Sequence, residues 1–331
     1  MPTSTGYNYD YTVYWGDGEV SPTITTYDDS NRAHTYTSAG TYTVRVPGLI
    51  ESFYVNNNSA IDTKIVSVNR WGVSGQFKQL SFWGCTNLLT LPNEVGFLQN
   101  VNSFSNTFNY CESLLVIPDG LFVDNLTSLS FYNTFAYCSS ITSVPTDLFK
   151  TNINVTNVSY VFAFCINLTT ISVDLFRYNI NISDFSYIFT YCSELVVIPN
   201  DLFKYNVLAT TFKQSFSHCD VLYTIPNDLF SFNTLVTDFS FLFIYCPLIP
   251  FISSDFFENN TLVTNFESAF YGCTSLTNIP SGLFDNNTIV TSFKNIFRGC
   301  DLITSIPTDL FKHNVLVKSF YQTFYGCKSI T

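Results

Sequence analysis

Ten cysteines stand at positions 85, 111, 138, 165, 192, 219, 246, 273, 300 and 327; the first interval is 26 residues and every later one is 27. No cysteine lies outside this series. A fixed period of about 20 to 50 residues arises when each unit cannot cover its own apolar face and buries it against the next copy. The period therefore points to a solenoid in which residues of equal phase stack on their counterparts. Columns that keep their identity are then the inward ones, and columns that drift are those that meet water.

Other columns keep the same register. An aliphatic residue falls three after the cysteine (Leu114, Ile141, Leu168, Leu195) and another six after it (Ile117, Val144, Ile171, Ile198). Leu-Phe follows at ten and eleven (Leu148-Phe149, Leu202-Phe203, Leu310-Phe311), and asparagine occupies position fourteen in eight consecutive units, from Asn125 to Asn314. Phenylalanine stands three before the cysteine from Phe108 through Phe324. Each unit reads as two similar half-turns of about 14 and 13 residues, one ending at the asparagine and one at the cysteine. Segments of the type SLTNIP (275–280) suit short strands bounded by proline, pairing in parallel at about 4.8 Å. Segments such as FKNIFRGC (293–300), with Phe293 and Phe297 four apart and Gly299 beyond, predict one helical turn ended by glycine. Nine intervals at strand spacing give a rod of about 40 Å.

The repeated polar residues have structural and functional readings. Equivalent cysteines in stacked coils project in parallel, whereas a disulfide needs Cβ atoms about 3.8 Å apart and facing each other. Cys-x-x-Cys pairs for a metal are absent. Cys111, Cys138, Cys165 and Cys192 are therefore expected to form a ladder of buried, reduced thiols, with disulfides or a metal as the alternative. Asn125, Asn152, Asn179 and Asn206 are expected to form a second ladder, their amides bonding backbone of their own turn and of the next coil. Asp147, Asp174, Asp201, Asp228, Asp255 and Asp309 precede Leu-Phe, where an N-cap for a short helical turn belongs. A calcium column is the competing reading, although one carboxylate per coil supplies few of the six to eight oxygens that calcium takes. Asn-x-Ser/Thr sequons, including Asn125, Asn154, Asn167, Asn181 and Asn286, read as by-products of an Asn- and Thr-rich repeat unless the source glycosylates them.

Several function classes fall away. A net charge of −11 leaves no basic footprint for nucleic acid. Ser, Thr and Asn interrupt every apolar run before the roughly 18 to 20 residues of a membrane span, so no membrane insertion is expected. The N-terminus, MPTSTGYNYDYTVYW, shows no basic region followed by an apolar core, so no secretory signal is visible. His34, His218 and His313 are the only histidines, and none is placed to serve a nucleophile. WGDG (15–18) lacks the lysine and the helix of a phosphate loop. A non-enzymatic protein without cofactor or metal is expected.

Residues 1 to 70 lack the repeat's cysteine. YTVYWGDG (11–18) and HTYTSAGTYTVRV (34–46) alternate as β-strands around glycine-rich turns. Trp15, Gly16, Asp17, Gly18, His34, Tyr36, Gly40, Tyr42 and Val44 resemble the fingerprint of polycystic-kidney-disease (PKD) domains, which implies a small immunoglobulin-like β-sandwich. The stretch is shorter than the roughly 100 residues of a full sandwich. Residues 71–331 form the expected leucine-rich-repeat-like solenoid, with 71–84 as a capping coil and an uncapped coil at Thr331. From about 85 onward the units resemble the BspA-like leucine-rich repeats of bacterial and bacteriophage surface proteins, in the form F-x-G-C-x-S-L-x-x-I-P-x-x-L-F-x-x-N. Ser172 and Ser253 depart from the proline. The resemblance implies adhesion or host recognition at a cell or virion surface, for example as a tail fibre, with a host glycan or protein as partner.

A binding surface must come from drifting columns. Tyr110, Tyr137, Phe164, Tyr191, His218 and Tyr245 stand just before the cysteine, and glycine replaces them in the last three units. Tyr178, Tyr205 and Phe232 form another variable column. If either column faces solvent it makes an aromatic strip for stacking on sugar rings or packing on a protein; otherwise it seals the edge of the core. The other function class is a structural spacer or assembly element, in which self-assembly or further chain covers the coil that ends at Thr331.

Overall fold

The computed structural model describes residues 1–57, 61–72 and 75–331. It forms a solenoid entered through a small β-structured N-terminal region. Strand β1 (Tyr9–Tyr11) pairs antiparallel with β2 (Gly48–Ile50), and bridges tie Tyr11 to Ile24 and Tyr14 to both Val20 and Arg45. Alternation along the chain buries Tyr9, Tyr11, Val13 and Trp15 together with Ile24 and Ile50. The stretch 34–46 contributes little backbone pairing. Its rings form a chain that starts on Trp15 instead: His34 stacks on Trp15 at 5.0 Å, Tyr36 meets His34 edge-on at 4.7 Å, Tyr42 stacks on Tyr36 at 4.0 Å, and the Tyr36 hydroxyl donates to the Trp15 carbonyl at 2.9 Å. His34 also meets the Asp17 carboxylate at 2.6 Å.

Pairing between coils begins earlier than the cysteine series suggests. Strand β3 (Ser52–Val55) pairs in parallel with β4 (Gln79–Phe82), Ser52 opposite Gln79. A coil therefore starts upstream of the boundary expected at 70/71, unmarked because no cysteine lies 27 residues before Cys85. The stretch 71–84, expected to cap the solenoid, is an internal coil. Its β4 lies against β3 on one side, and the Phe82 amide donates to the Thr107 carbonyl at 2.7 Å on the other; residues 73 and 74 lie outside the described ones.

Beyond β4 the coils differ from the expected strands and helical turns. Single parallel bridges run through Ser130, Asn157, Asp184, Thr211, Asp238, Asn265, Ser292 and Ser319, each residue 27 from the next. Among the described residues the SLTNIP-type phase contributes few bridges: Ser67–Thr90, Ser143–Thr170 and Val197–Thr224. The helical turn before the cysteine is replaced by successive tight turns. In one coil, Thr134, Ala136 and Cys138 donate to carbonyls three residues back, at 3.2, 3.4 and 3.2 Å. The alternate amides of Asn133, Phe135 and Tyr137 donate to Ser159, Val161 and Ala163 of the next coil, at 3.0, 2.9 and 2.8 Å. The cause is left-handed backbone at Asn133 (φ 60°) and Tyr137 (φ 61°), which breaks the run of right-handed residues that a helix requires.

The core consists of columns that touch themselves. Phe108, Phe135, Phe162 and Phe189 stack at 5.4, 5.9 and 5.8 Å, and Phe149 stacks on Phe176 at 5.9 Å. All ten cysteines are free thiols, nine of them buried. The thiols also serve the backbone: Cys111, Cys138, Cys165 and Cys192 donate to the carbonyls of Phe82, Phe108, Phe135 and Phe162, at 3.3, 3.1, 3.2 and 3.3 Å. The asparagine Nδ2 groups donate to carbonyls of the preceding coil. Asn152 Nδ2 donates to Phe122 and Asn125 carbonyls, Asn179 to Phe149 and Asn152, and Asn206 to Phe176 and Asn179. Asn125 does the same with Leu98 and Val101, and its Oδ1 accepts from the Ser128 amide. Among the described residues no helix is long and apolar enough to cross a membrane.

Candidate binding surface along the aromatic columns

The residue before each cysteine closes the last tight turn and holds φ between 54° and 61° at Tyr110, Tyr137, Phe164, Tyr191, His218 and Tyr245. Left-handed backbone costs a residue with a Cβ about 1 kcal/mol or more. Glycine relieves that cost at the same phase in Gly272, Gly299 and Gly326, all with positive φ. This conformation throws the side chain out of the coil, and successive rings lie on one another. Centroids are 4.1 Å apart for Tyr110–Tyr137, 4.2 Å for Tyr137–Phe164, 4.6 Å for Phe164–Tyr191 and 4.1 Å for Tyr191–His218, with ring planes within 10° of parallel. Such pairs contribute about 0.5–1.5 kcal/mol each, enough to offset the strained backbone.

The column is half-buried, rising to 36% exposed at Tyr191 and 40% at Tyr245. Its rings face each other, so their edges and hydroxyls, not their faces, line the solvent side. A strip for stacking along its whole length on sugar rings, one of the expected uses, is thereby corrected to an edge surface between positions 110 and 218. Burial first, and the neighbouring Tyr110 second, push the Tyr137 hydroxyl up to about 12. Burial pulls His218 down, against an opposing pull from Asp220.

Where glycine takes over, the column shifts by one residue and continues. Tyr271 meets Tyr245 at 4.8 Å, and the Arg298 guanidinium lies between Tyr271 and Tyr325, 5.0 and 5.2 Å from their centroids. The sequence reading missed this continuation, because the aromatic residues move to the position two before the cysteine. It also missed the Tyr160–Tyr187 stack at 4.2 Å, five before the cysteine, another left-handed position.

Tyr178, Tyr205 and Phe232 stand on the other half-turn, each more than two-fifths exposed. Cations cover their rings: Lys150 lies 5.9 Å from Tyr178, Arg177 5.3 Å from Tyr205 and Lys204 5.6 Å from Phe232. The same cations bind Asp147, Asp174 and Asp201 at 3.0, 3.1 and 3.1 Å. Those carboxylates are thus not the expected N-caps, since the tight turns present no helix to cap. Among the described residues no ring contact joins this column to the first.

No protein-family model matches the chain, and no curated protein does. Among solved structures it is similar to a leucine-rich cell-surface protein from Faecalibacterium prausnitzii, at 21% identity over 76% of this chain and 66% of that one, with a TM-score of 0.36. It is also similar to the Drosophila Toll–Spatzle complex, at 15% identity over 74% of this chain and 38% of that one, with a TM-score of 0.37. The APL1 leucine-rich repeat domain shares 15% identity over 50% of this chain and 39% of its own, with a TM-score of 0.34. The chain thus spans about two thirds of the first protein's length and well under half of the others'.

Proposed function

We propose that this chain is a non-enzymatic surface adhesion or receptor-binding protein whose solenoid presents an aromatic edge to a host surface glycan or protein. The contrast between two columns supports the reading. The inner column, three before the cysteine, is phenylalanine from Phe108 through Phe324, whereas the outer one carries tyrosine at 110, 137, 191 and 245. Phenylalanine would stack as well as tyrosine. A hydroxyl has value only where one end of the ring is wet, the pattern of side chains that meet a partner across water. The reading places the protein outside the cell or on a cell or virion surface, the chain's 27-residue units acting as a BspA-like repeat behind a PKD-like N-terminal region.

The test is binding of the full chain to host surface extract and to a glycan array, repeated with the Tyr137→Ala, Tyr191→Ala pair in folded protein. Saturable binding that the pair weakens is the expected result. Unchanged binding by the pair would remove the aromatic edge from the interface. Silence on both surfaces, together with filament or particle formation, would favour a spacer or assembly subunit.

A further inference from the structure

We infer that the point where the aromatic column changes phase, around Tyr245 and Gly272, is a subsite for a neutral pyranose sugar. The inference rests on the surface-binding reading above and gives it a place and a ligand class. From Tyr137 to Tyr191 each ring is stacked on both faces, so none of these is open to a ligand. Toward the C-terminal coils this regularity ends beyond His218. His218 and Tyr245 are tilted by 35°, Tyr245 and Tyr271 by 44°, and Gly272 and Gly299 put no side chain at the column position. The result is an open depression of about 440 Å³, lined by His218, Asp220, Tyr245, Tyr271, Gly272 and Thr274 among others. That size lies within the roughly 300–1,000 Å³ of small-molecule sites.

The lining matches one chemistry. Tilted tyrosine rings offer apolar surface to the C–H face of a sugar ring, and their hydroxyls can donate or accept. Asp220 is exposed in the lining of the depression, where its carboxylate can accept from sugar hydroxyls. Thr274 Oγ1 donates to the Pro247 carbonyl at 3.3 Å, which leaves its lone pairs to accept. With Asp220 in its lining and the Arg298 guanidinium 5.0 Å from the Tyr271 ring, the depression carries one charge of each sign, which suits a neutral ligand. The phase change at Tyr245 and Gly272 gives a single subsite.

The test uses the full chain with methyl glycosides of glucose, galactose, mannose and N-acetylglucosamine, read by saturation-transfer NMR and titration. One of these should bind saturably at a single site, and Asp220→Asn, an exposed change that keeps the side chain's shape, should weaken it at least tenfold. Tyr245→Ala should abolish binding in protein whose circular dichroism matches the parent. Val116→Ser, at an exposed position outside the lining of the depression, should leave it unchanged. Silence across the panel, several equivalent sites, or full affinity in Asp220→Asn would each overturn the subsite. If the chain still bound host extract in any of those cases, the surface-binding reading would stand while the subsite fell; loss of both would remove the two together.

Discussion

Tyr245 lies over Gly272 so closely that a Cβ on the glycine would stand 2.7 Å from the tyrosine Cδ1. Gly299, one coil on, differs: its Cβ would meet Tyr271 at 3.7 Å, an ordinary contact. Both glycines hold positive φ, 77° and 67°. The pair separates backbone strain from crowding. Gly299→Ala should cost about 1 kcal/mol from the left-handed backbone alone. Gly272→Ala should cost about 1–3 kcal/mol more, because Tyr245 must be displaced. Urea unfolding of the two variants checks this; equal losses would mean that Tyr245 moves aside freely.

The same backbone reverses an ordinary ranking at Tyr137. Alanine normally exceeds glycine in folded stability, but here φ is 61°. Both replacements lose the stacks on Tyr110 and Phe164. Only glycine also sheds the left-handed strain, so Tyr137→Gly should be about 1 kcal/mol more stable than Tyr137→Ala. Thermal unfolding of the two single variants decides it, and an alanine variant of equal or higher midpoint would contradict the assigned conformation.

Asn179 joins two coils through a buried amide that donates to Phe149 O at 2.8 Å and Asn152 O at 2.9 Å. Asn179→Ala would remove the second hydrogen bond of each carbonyl, which keeps the turn bond from the Asn152 or Val155 amide, at about 0.5–1.5 kcal/mol for each bond lost. Asn179→Asp should be worse, since it sets a carboxylate oxygen against two carbonyl oxygens without solvent. Loss of cooperativity in urea unfolding, as the repeat array divides near the coil that carries Asn179, is the accompanying sign. An aspartate variant as stable as the parent would mean that this amide is not the buried donor described.

Columns of fixed identity were legible in the sequence because a side chain that touches its own copies, such as Cys138 or Asn152, cannot change alone. Membership of the outer column was legible too, from Tyr110 to Tyr245. What the rings do there was not, since stacking face to face depends on a left-handed backbone that non-glycine residues rarely adopt. The available signal was the exchange of tyrosine for glycine at one phase, which Gly272, Gly299 and Gly326 display. A single glycine had suggested a helix end; glycine alternating with aromatics across copies marks a turn. The coil that begins at Ser52 was hidden because no cysteine marks it, and the Tyr271–Arg298–Tyr325 sandwich because its residues sit one place earlier than the column they extend.

The thiol ladder gives the fold a definite alkaline limit. Burial pushes Cys85 up to about 12, and it raises Cys111, Cys138, Cys165 and Cys192 as well. An unfolded thiol titrates near 8.5. Above that pH the unfolded chain releases protons that the folded chain keeps. The stability these thiols contribute is therefore complete below about 8.5 and is lost as pH rises toward 12, at up to about 1.4 kcal/mol per pH unit for each thiol. Tyr137, raised to about 12, adds to the loss above about pH 10, where a free tyrosine ionises. The urea midpoint should thus be flat from pH 6 to 8 by these thiols' account and fall steeply above about pH 9. A variant with Cys138→Ala, Cys165→Ala and Cys192→Ala, whatever its stability at pH 7, should show a shallower fall. Cys327, the one thiol that is not buried, should react with an alkylating reagent before the other nine. A midpoint unchanged up to pH 10, or nine further thiols alkylated as fast as Cys327 in the folded protein, would show that the cysteines are not held in a closed column.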